Sequence, residues 1–279
     1  MKFTSYSSFS ADLASKGLEY AVKRSARLGF ESVEFLSSYP AREPLPRRYS
    51  AAEVRRLLDG HGLRVACYSI YADLFRGSDE EFLAAMREHV SFAAAIGSPL
   101  LQHTLAPHVP AEGDTSYAGV LAAIAPRIER EIALAKEAGI VCLYEPQGPY
   151  FNGVDGLGRL LERLLPSHEN VAVCGDVGNS LFVDCDPVDV YRAFADRILH
   201  VHVKDYLRYD ERVEGAAGQS RGGTWLLDCR IGEGIVDLAT CFRLLKATGY
   251  DGRFALEMSG DDEEIRRMMA YIRDVFERA

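Results

Sequence analysis

The segment ILHVHVKDY, residues 198–206, sets two imidazoles, an ammonium and a carboxylate at the end of an aliphatic run. Side chains alternate across a strand, so His200, His202 and Lys204 share one face. Ionisable groups are rarely buried without partners, so such a strand needs partners from elsewhere in the chain. Three other apolar runs also end on an ionisable group: CLYE on Glu145, CGD on Asp176 and ALE on Glu257. With His202 these make three carboxylates and one imidazole. Three carboxylates brought together raise one another's pKa unless a cation is present. Three oxygens with one imidazole nitrogen suit Mn²⁺, Mg²⁺ or Co²⁺ and are compatible with Zn²⁺. A single acid at a strand end reads as a helix cap or an ion pair, but four such ends in succession read as a site.

The elements that must position them recur along the chain. A helix-like run, a glycine and a short apolar strand appear at 26–36, 58–70, 94–105, 135–146 and 246–258. The glycine supplies the left-handed residue that closes a helix and fixes a tight turn into the strand. NVAVCGDV (170–177) and ILHVHVKDY follow helix-like runs without that glycine, and KFTSYSSF (2–9) completes eight strands. Eight alternations of this kind predict an α/β fold, one (β/α)8 TIM barrel spanning residues 1–279. A doubly wound open sheet is the alternative, but no glycine-rich phosphate turn follows the first strand. The segments after the strands (37–49, 106–117, 146–156 and 207–234) are long and polar. In a barrel these all lie at the C-terminal face, where active sites are built. The glycine-rich part of the last of them, 207–224, is expected to be a mobile lid.

Composition narrows the classes. The chain has 279 residues, 48% of them hydrophobic, and a net charge of −9, which disfavours a nucleic-acid duplex. No window is apolar enough to span a bilayer, and the start lacks the apolar core of a signal peptide. The six cysteines (67, 142, 174, 185, 229, 241) show no CxxC spacing and read as reduced core residues of a cytoplasmic protein. His61, His89 and His168 fall on helix or turn surfaces. Tyr6, Tyr68, Tyr71, Phe151 and Trp225 are candidates to stack on the apolar face of a sugar or cyclitol ring.

YEP (144–146), GDVGN (175–179), HVHVKDY (200–206), and RIGEGIVDL (230–238) followed by ALE (255–257) together resemble the xylose-isomerase-like barrels. That family holds sugar epimerases, keto-sugar isomerases, inosose dehydratases and, more distantly, apurinic endonucleases. The resemblance implies one divalent ion, Mn²⁺ before Mg²⁺, Co²⁺ or Zn²⁺, held by Glu145, Asp176, His202 and Glu257, with His200 as the alternate imidazole. It also implies that Glu145 and Glu257 act as paired acid and base on a keto-sugar or polyol, through a cis-enediolate. Arg208 matches an arginine that contacts a substrate oxygen in keto-sugar epimerases. Glu34 matches a second-strand glutamate, read as a substrate or loop-anchoring residue.

Asn179 stands where many members carry histidine, leaving an amide near the substrate beside Lys204. His103 is expected to hydrogen-bond substrate or to orient Glu145. The endonuclease reading needs further histidines that the chain lacks. No basic cluster with a glycine-rich turn marks a phosphate site, so an unphosphorylated substrate is expected. An inosose-type dehydratase starts from the same enediolate, and a barrel that binds without turnover would not need an intact quartet. The expected partner is a small sugar or cyclitol rather than nucleic acid or membrane. Assembly into a homo-oligomer is left open.

Overall fold

The computed structural model describes residues 1–37, 43–71 and 73–279. Its centre is a closed barrel of eight parallel strands: β1 (Lys2–Ser5), β2 (Ser32–Leu36), β3 (Arg64–Ile70), β4 (Leu100–His103), β5 (Val141–Tyr144), β6 (Val171–Asp176), β7 (Ile198–Val203) and, last in the chain, β11 (Arg253–Leu256). β1 closes the circle by pairing with both β2 and β11. The glycine turns behave as the sequence predicts. Gly97 (φ 79°) and Gly139 (φ 73°), for example, take the left-handed conformation directly after the helices Asp79–Ala95 and Tyr117–Glu137.

Two cores result. The larger lies between the barrel and its helices and takes the outward residues of each strand, such as Phe3, Val33, Leu101 and Phe254. A smaller one plugs the barrel interior with Cys67, Leu143, Ala172 and Cys174. All six cysteines are free thiols. Above this plug the inward residues are polar, so the apolar floor and the ionisable mouth of the barrel come from the same strands, two residues apart.

Two departures from the sequence reading belong to the fold itself. The long segment after β7 is folded, not a plain loop. It forms an antiparallel sheet of β8 (Tyr206–Tyr209), β9 (Gly218–Gln219) and β10 (Trp225–Asp228), with β10 in the middle. Leu226 is fully buried against Leu181 and Tyr206, while Ser220 donates to Asp184 and Arg221 to the Pro149 carbonyl. Alternating apolar residues in YLRY and WLLD supply the strand signal, which the glycines and charges between them obscure. The second departure is His89. It is buried rather than on a surface, on the inner face of the helix Asp79–Ala95, where its Nδ1 lies 2.9 Å from the Tyr68 hydroxyl. Among the described residues no helix is long and apolar enough to cross a membrane.

Candidate metal centre

Strand ends and register bring the quartet together. Glu145 directly follows β5, Asp176 ends β6, His202 lies one residue before the end of β7 and Glu257 directly follows β11. Asp176 is registered opposite His202, and His202 opposite Ala255, so Glu257 projects from the next inward position of its strand. Each of the four offers one ligand atom, and those atoms all lie within 4.8 Å of one another. Glu145 Oε1 is 3.0 Å and Glu257 Oε2 3.2 Å from the same nitrogen, His202 Nδ1. The two glutamates therefore bracket the imidazole from neighbouring sides of the mouth.

Each ligand is held from behind. Gln102 donates to Glu145 Oε2 (3.0 Å) and the Asn179 amide to Glu145 Oε1 (3.1 Å). Asp176 Oδ1 receives the backbone N–H groups of Gly178 (2.7 Å) and Asn179 (2.5 Å), which turns Oδ2 toward the cluster. The His202 ring stacks on Tyr6 at 4.9 Å, and its Nε2 points down to Glu34 Oε1 at 3.1 Å. Lys204, buried one pleat above His202, donates to Asn179 Oδ1 and pairs with Asp176 Oδ2 (3.0 Å) and Glu257 Oε2 (2.8 Å).

The residues present fit a divalent ion. Asp176 Oδ2 and Glu257 Oε2 are buried and face the Lys204 ammonium, and a carboxylate oxygen with two lone pairs has room for a second cation beside it. The electrostatics agree. Burial pushes Asp176 up to about 7 against the pull of Lys204, with Glu145 and Glu257 adding to the rise. Burial would raise Glu257 as well, but Lys204 and His202 outweigh it and hold that carboxyl near about 2. Burial opposes charge on Lys204 and His202, yet the surrounding acids push both well above their ordinary values. This site stabilises positive charge.

The structure does not bring every other candidate to the cluster. His103 lies on the outward face of β4, its Nδ1 2.5 Å from Glu131 Oε2 in the helix layer, both side chains fully buried. Its strand neighbour Gln102 is the one that faces inward and orients Glu145, a role that alternation along β4 made available in the sequence. Glu34 is buried beneath His202 rather than at the rim. His200 lies one pleat deeper than His202, with Nε2 2.7 Å from Glu34 Oε2. Arg208 is exposed on β8, and Trp225 is half-buried on β10 beneath the Arg212 guanidinium. Of the aromatic candidates, Tyr6 faces the cluster. Tyr68 turns outward to Ser37 and His89, and Phe151 packs in the outer core.

The model of the xylose isomerase-like TIM barrel family matches residues 22–275. An inosose dehydratase of Lacticaseibacillus casei is 23% identical over 266 residues, covering 87% of this chain and 82% of that one. A probable 3-DHS dehydratase from Bacillus anthracis shares the fold with a TM-score of 0.74 at 17% identity, over 98% of this chain and 99% of that one. A D-allulose 3-epimerase from Methylomonas sp. does so with a TM-score of 0.72 at 19% identity, over 99% and 98%.

Proposed function

Because the chain belongs to the xylose isomerase-like TIM barrel family, we propose that it is a metal-dependent isomerase or epimerase of a small keto-sugar or related polyol. The observation that carries this reading is the bracketing of His202 Nδ1 by Glu145 and Glu257 within a four-ligand cluster. Glu145, Asp176, His202 and Glu257 would hold one divalent ion, with Mn²⁺ the first choice for three oxygens and one nitrogen. When bound, that ion supplies Lewis acidity at a carbonyl and its neighbouring hydroxyl, which acidifies the C–H between them.

The chain's own residues do the rest. One glutamate takes the proton from that carbon, leaving the substrate as a cis-enediolate. The other returns a proton to the opposite face of the same carbon, giving the epimer, or to the adjacent carbon, giving the isomer. Gln102 and Asn179 keep Glu145 aimed, and Lys204 keeps Glu257 ionised and ready to accept. Tyr6 closes one wall of the mouth.

A second reading is dehydration of an inosose-type substrate. It is favoured by the resemblance to an inosose dehydratase. After the same proton abstraction, the enediolate would expel a β-hydroxyl, which leaves as water with the proton that the glutamate took. One experiment tests both. The protein is incubated with Mn²⁺ and a panel of ketoses and inososes in D₂O, and products are read by mass and NMR. Deuterium gain without loss of water supports the isomerase or epimerase, and loss of water supports the dehydratase. No exchange on any substrate would overturn the shared enediolate mechanism.

A further inference from the structure

Glu34 lies outside the quartet yet touches it from below. We propose that Glu34 is a positioning residue that keeps the ring proton of His202 on Nε2 and so reserves Nδ1, the nitrogen between Glu145 and Glu257, for the ion. The inference rests on the metal centre proposed above.

Glu34 is fully buried in the barrel interior. Val33 packs in the outer core, so alternation along β2 turns Glu34 inward, where it is registered opposite Cys67 of the barrel plug. Three side chains converge on the carboxylate. The Ser69 hydroxyl donates to Oε1 at 2.5 Å, His200 Nε2 lies 2.7 Å from Oε2, and His202 Nε2 lies 3.1 Å from Oε1 and 3.2 Å from Oε2. An ionised carboxylate only accepts, so each nitrogen facing it carries a hydrogen. His200 Nδ1 has no hydrogen-bond partner among the described residues, so Glu34 is the group that anchors its ring through Nε2.

For His202 the consequence falls on the opposite nitrogen. An imidazole that holds its proton on Nε2 and binds an ion must bind it through Nδ1, and Nδ1 is the atom aimed at both glutamates. The reverse arrangement would set a bare Nε2 lone pair 3.1 Å from a buried carboxylate oxygen, two acceptors facing one another with no hydrogen between them. Tyr6, stacked on the ring, fixes its plane, so Glu34 and Tyr6 together leave the imidazole one orientation. This burial also explains why Glu34 does not serve as a substrate contact. It is sealed from the mouth by the ring it orients.

The test uses the full chain with Zn²⁺ or Mn²⁺ alone as the probe. Side-chain ¹⁵N NMR of the Zn²⁺-loaded wild type should show His202 with hydrogen on Nε2 and the ion on Nδ1. Glu34→Gln keeps the volume but cannot accept from both imidazoles, and Mn²⁺ affinity measured by chelator competition should fall about 10–100-fold. Glu34→Asp, which retains the carboxylate, should recover part of that loss, as a merely space-filling role would not require. An ion on Nε2 in the wild type overturns the inference without any variant, even if Glu34→Gln fails to fold. Unchanged Mn²⁺ affinity in folded Glu34→Gln overturns it as well. A wild type that binds neither ion would instead overturn the metal centre itself.

Discussion

Lys204 and Glu257 form an ion pair of 2.8 Å in the carboxylate cluster, and the same ammonium reaches Asp176 Oδ2 at 3.0 Å. Both oxygens belong to the four-ligand cluster, so the ammonium and a divalent ion draw on the same carboxylates. Lys204→Met should therefore destabilise chelator-treated protein by about 3–5 kcal/mol, the cost of leaving buried charges without their partner. Saturating Mn²⁺ should restore most of that loss, giving the variant a larger metal-dependent rise in Tm than the wild type. Thermal melts with and without chelator check this, and equal rises in the two proteins would show that the ion does not use these oxygens.

Glu145 and Glu257 are not equivalent. Glu145 is closed in by Gln102 and Asn179, whereas the Glu257 side chain is 22% exposed against 4% for Glu145. A proton taken by Glu257 should wash out to solvent, and one taken by Glu145 should be kept longer. Either Gln variant should lower turnover about 10²–10⁴-fold with a smaller loss of metal affinity. Glu257→Gln should abolish deuterium uptake at the reacting carbon, while Glu145→Gln keeps uptake but gives no inverted product. Full turnover in either variant at saturating Mn²⁺ would remove the paired-glutamate mechanism.

The strand ends are legible because Glu145, Asp176 and Glu257 each follow an apolar run, and His202 one broken only by His200, and alternation then dictates which face each takes. His103 illustrates the limit. Its run, LLQHTL, holds two polar residues side by side, and no rule of composition says which of Gln102 and His103 faces the interior. The tertiary partner decides it: Glu131, on the helix Tyr117–Glu137, claims the outward position. Glu34 is visible as a candidate, but its role depends on the partners Ser69, His200 and His202, which come from other strands and which no local pattern announces. His89 sits among AMREHV, where helical periodicity alone does not separate a buried from an exposed turn, and Tyr68 of β3 settles it.

His89 also makes a prediction about acid stability. Burial depresses its pKa to about 4 from an ordinary value of 6.5, so the unfolded chain binds more protons than the native one between those pH values. The stabilising contribution is thus fully present above about pH 6.5 and is lost as pH falls toward 4, with a ceiling of about 3 kcal/mol. His89→Gln, which can still hydrogen-bond Tyr68 but does not titrate, should flatten the pH dependence of unfolding free energy across that window. Denaturant titrations at pH 7, 5.5 and 4.5 measure it. A variant with the wild-type slope would assign the acid sensitivity to another group.

Asp176 separates holding the ion from moving protons. Its Oδ1 is committed to the backbone N–H groups of Gly178 and Asn179, so only Oδ2 faces the cluster. In Asp176→Asn the amide oxygen must stay with those two donors, because the NH₂ group cannot accept from them. The NH₂ then points where Oδ2 was, toward the ion and the Lys204 ammonium, and replaces an acceptor with a donor. Metal affinity and turnover should fall together, by more than the loss of one charge at an exposed ligand would give. Excess Mn²⁺ should restore activity only in part, and the residual turnover per bound ion should stay close to that of the wild type. Glu145→Gln should behave in the opposite way, with turnover per bound ion collapsing. Activity and bound Mn²⁺ measured on the same samples across a metal titration tell the two patterns apart. If Asp176→Asn instead binds Mn²⁺ as tightly as the wild type, Asp176 is not a ligand and the quartet is wrong.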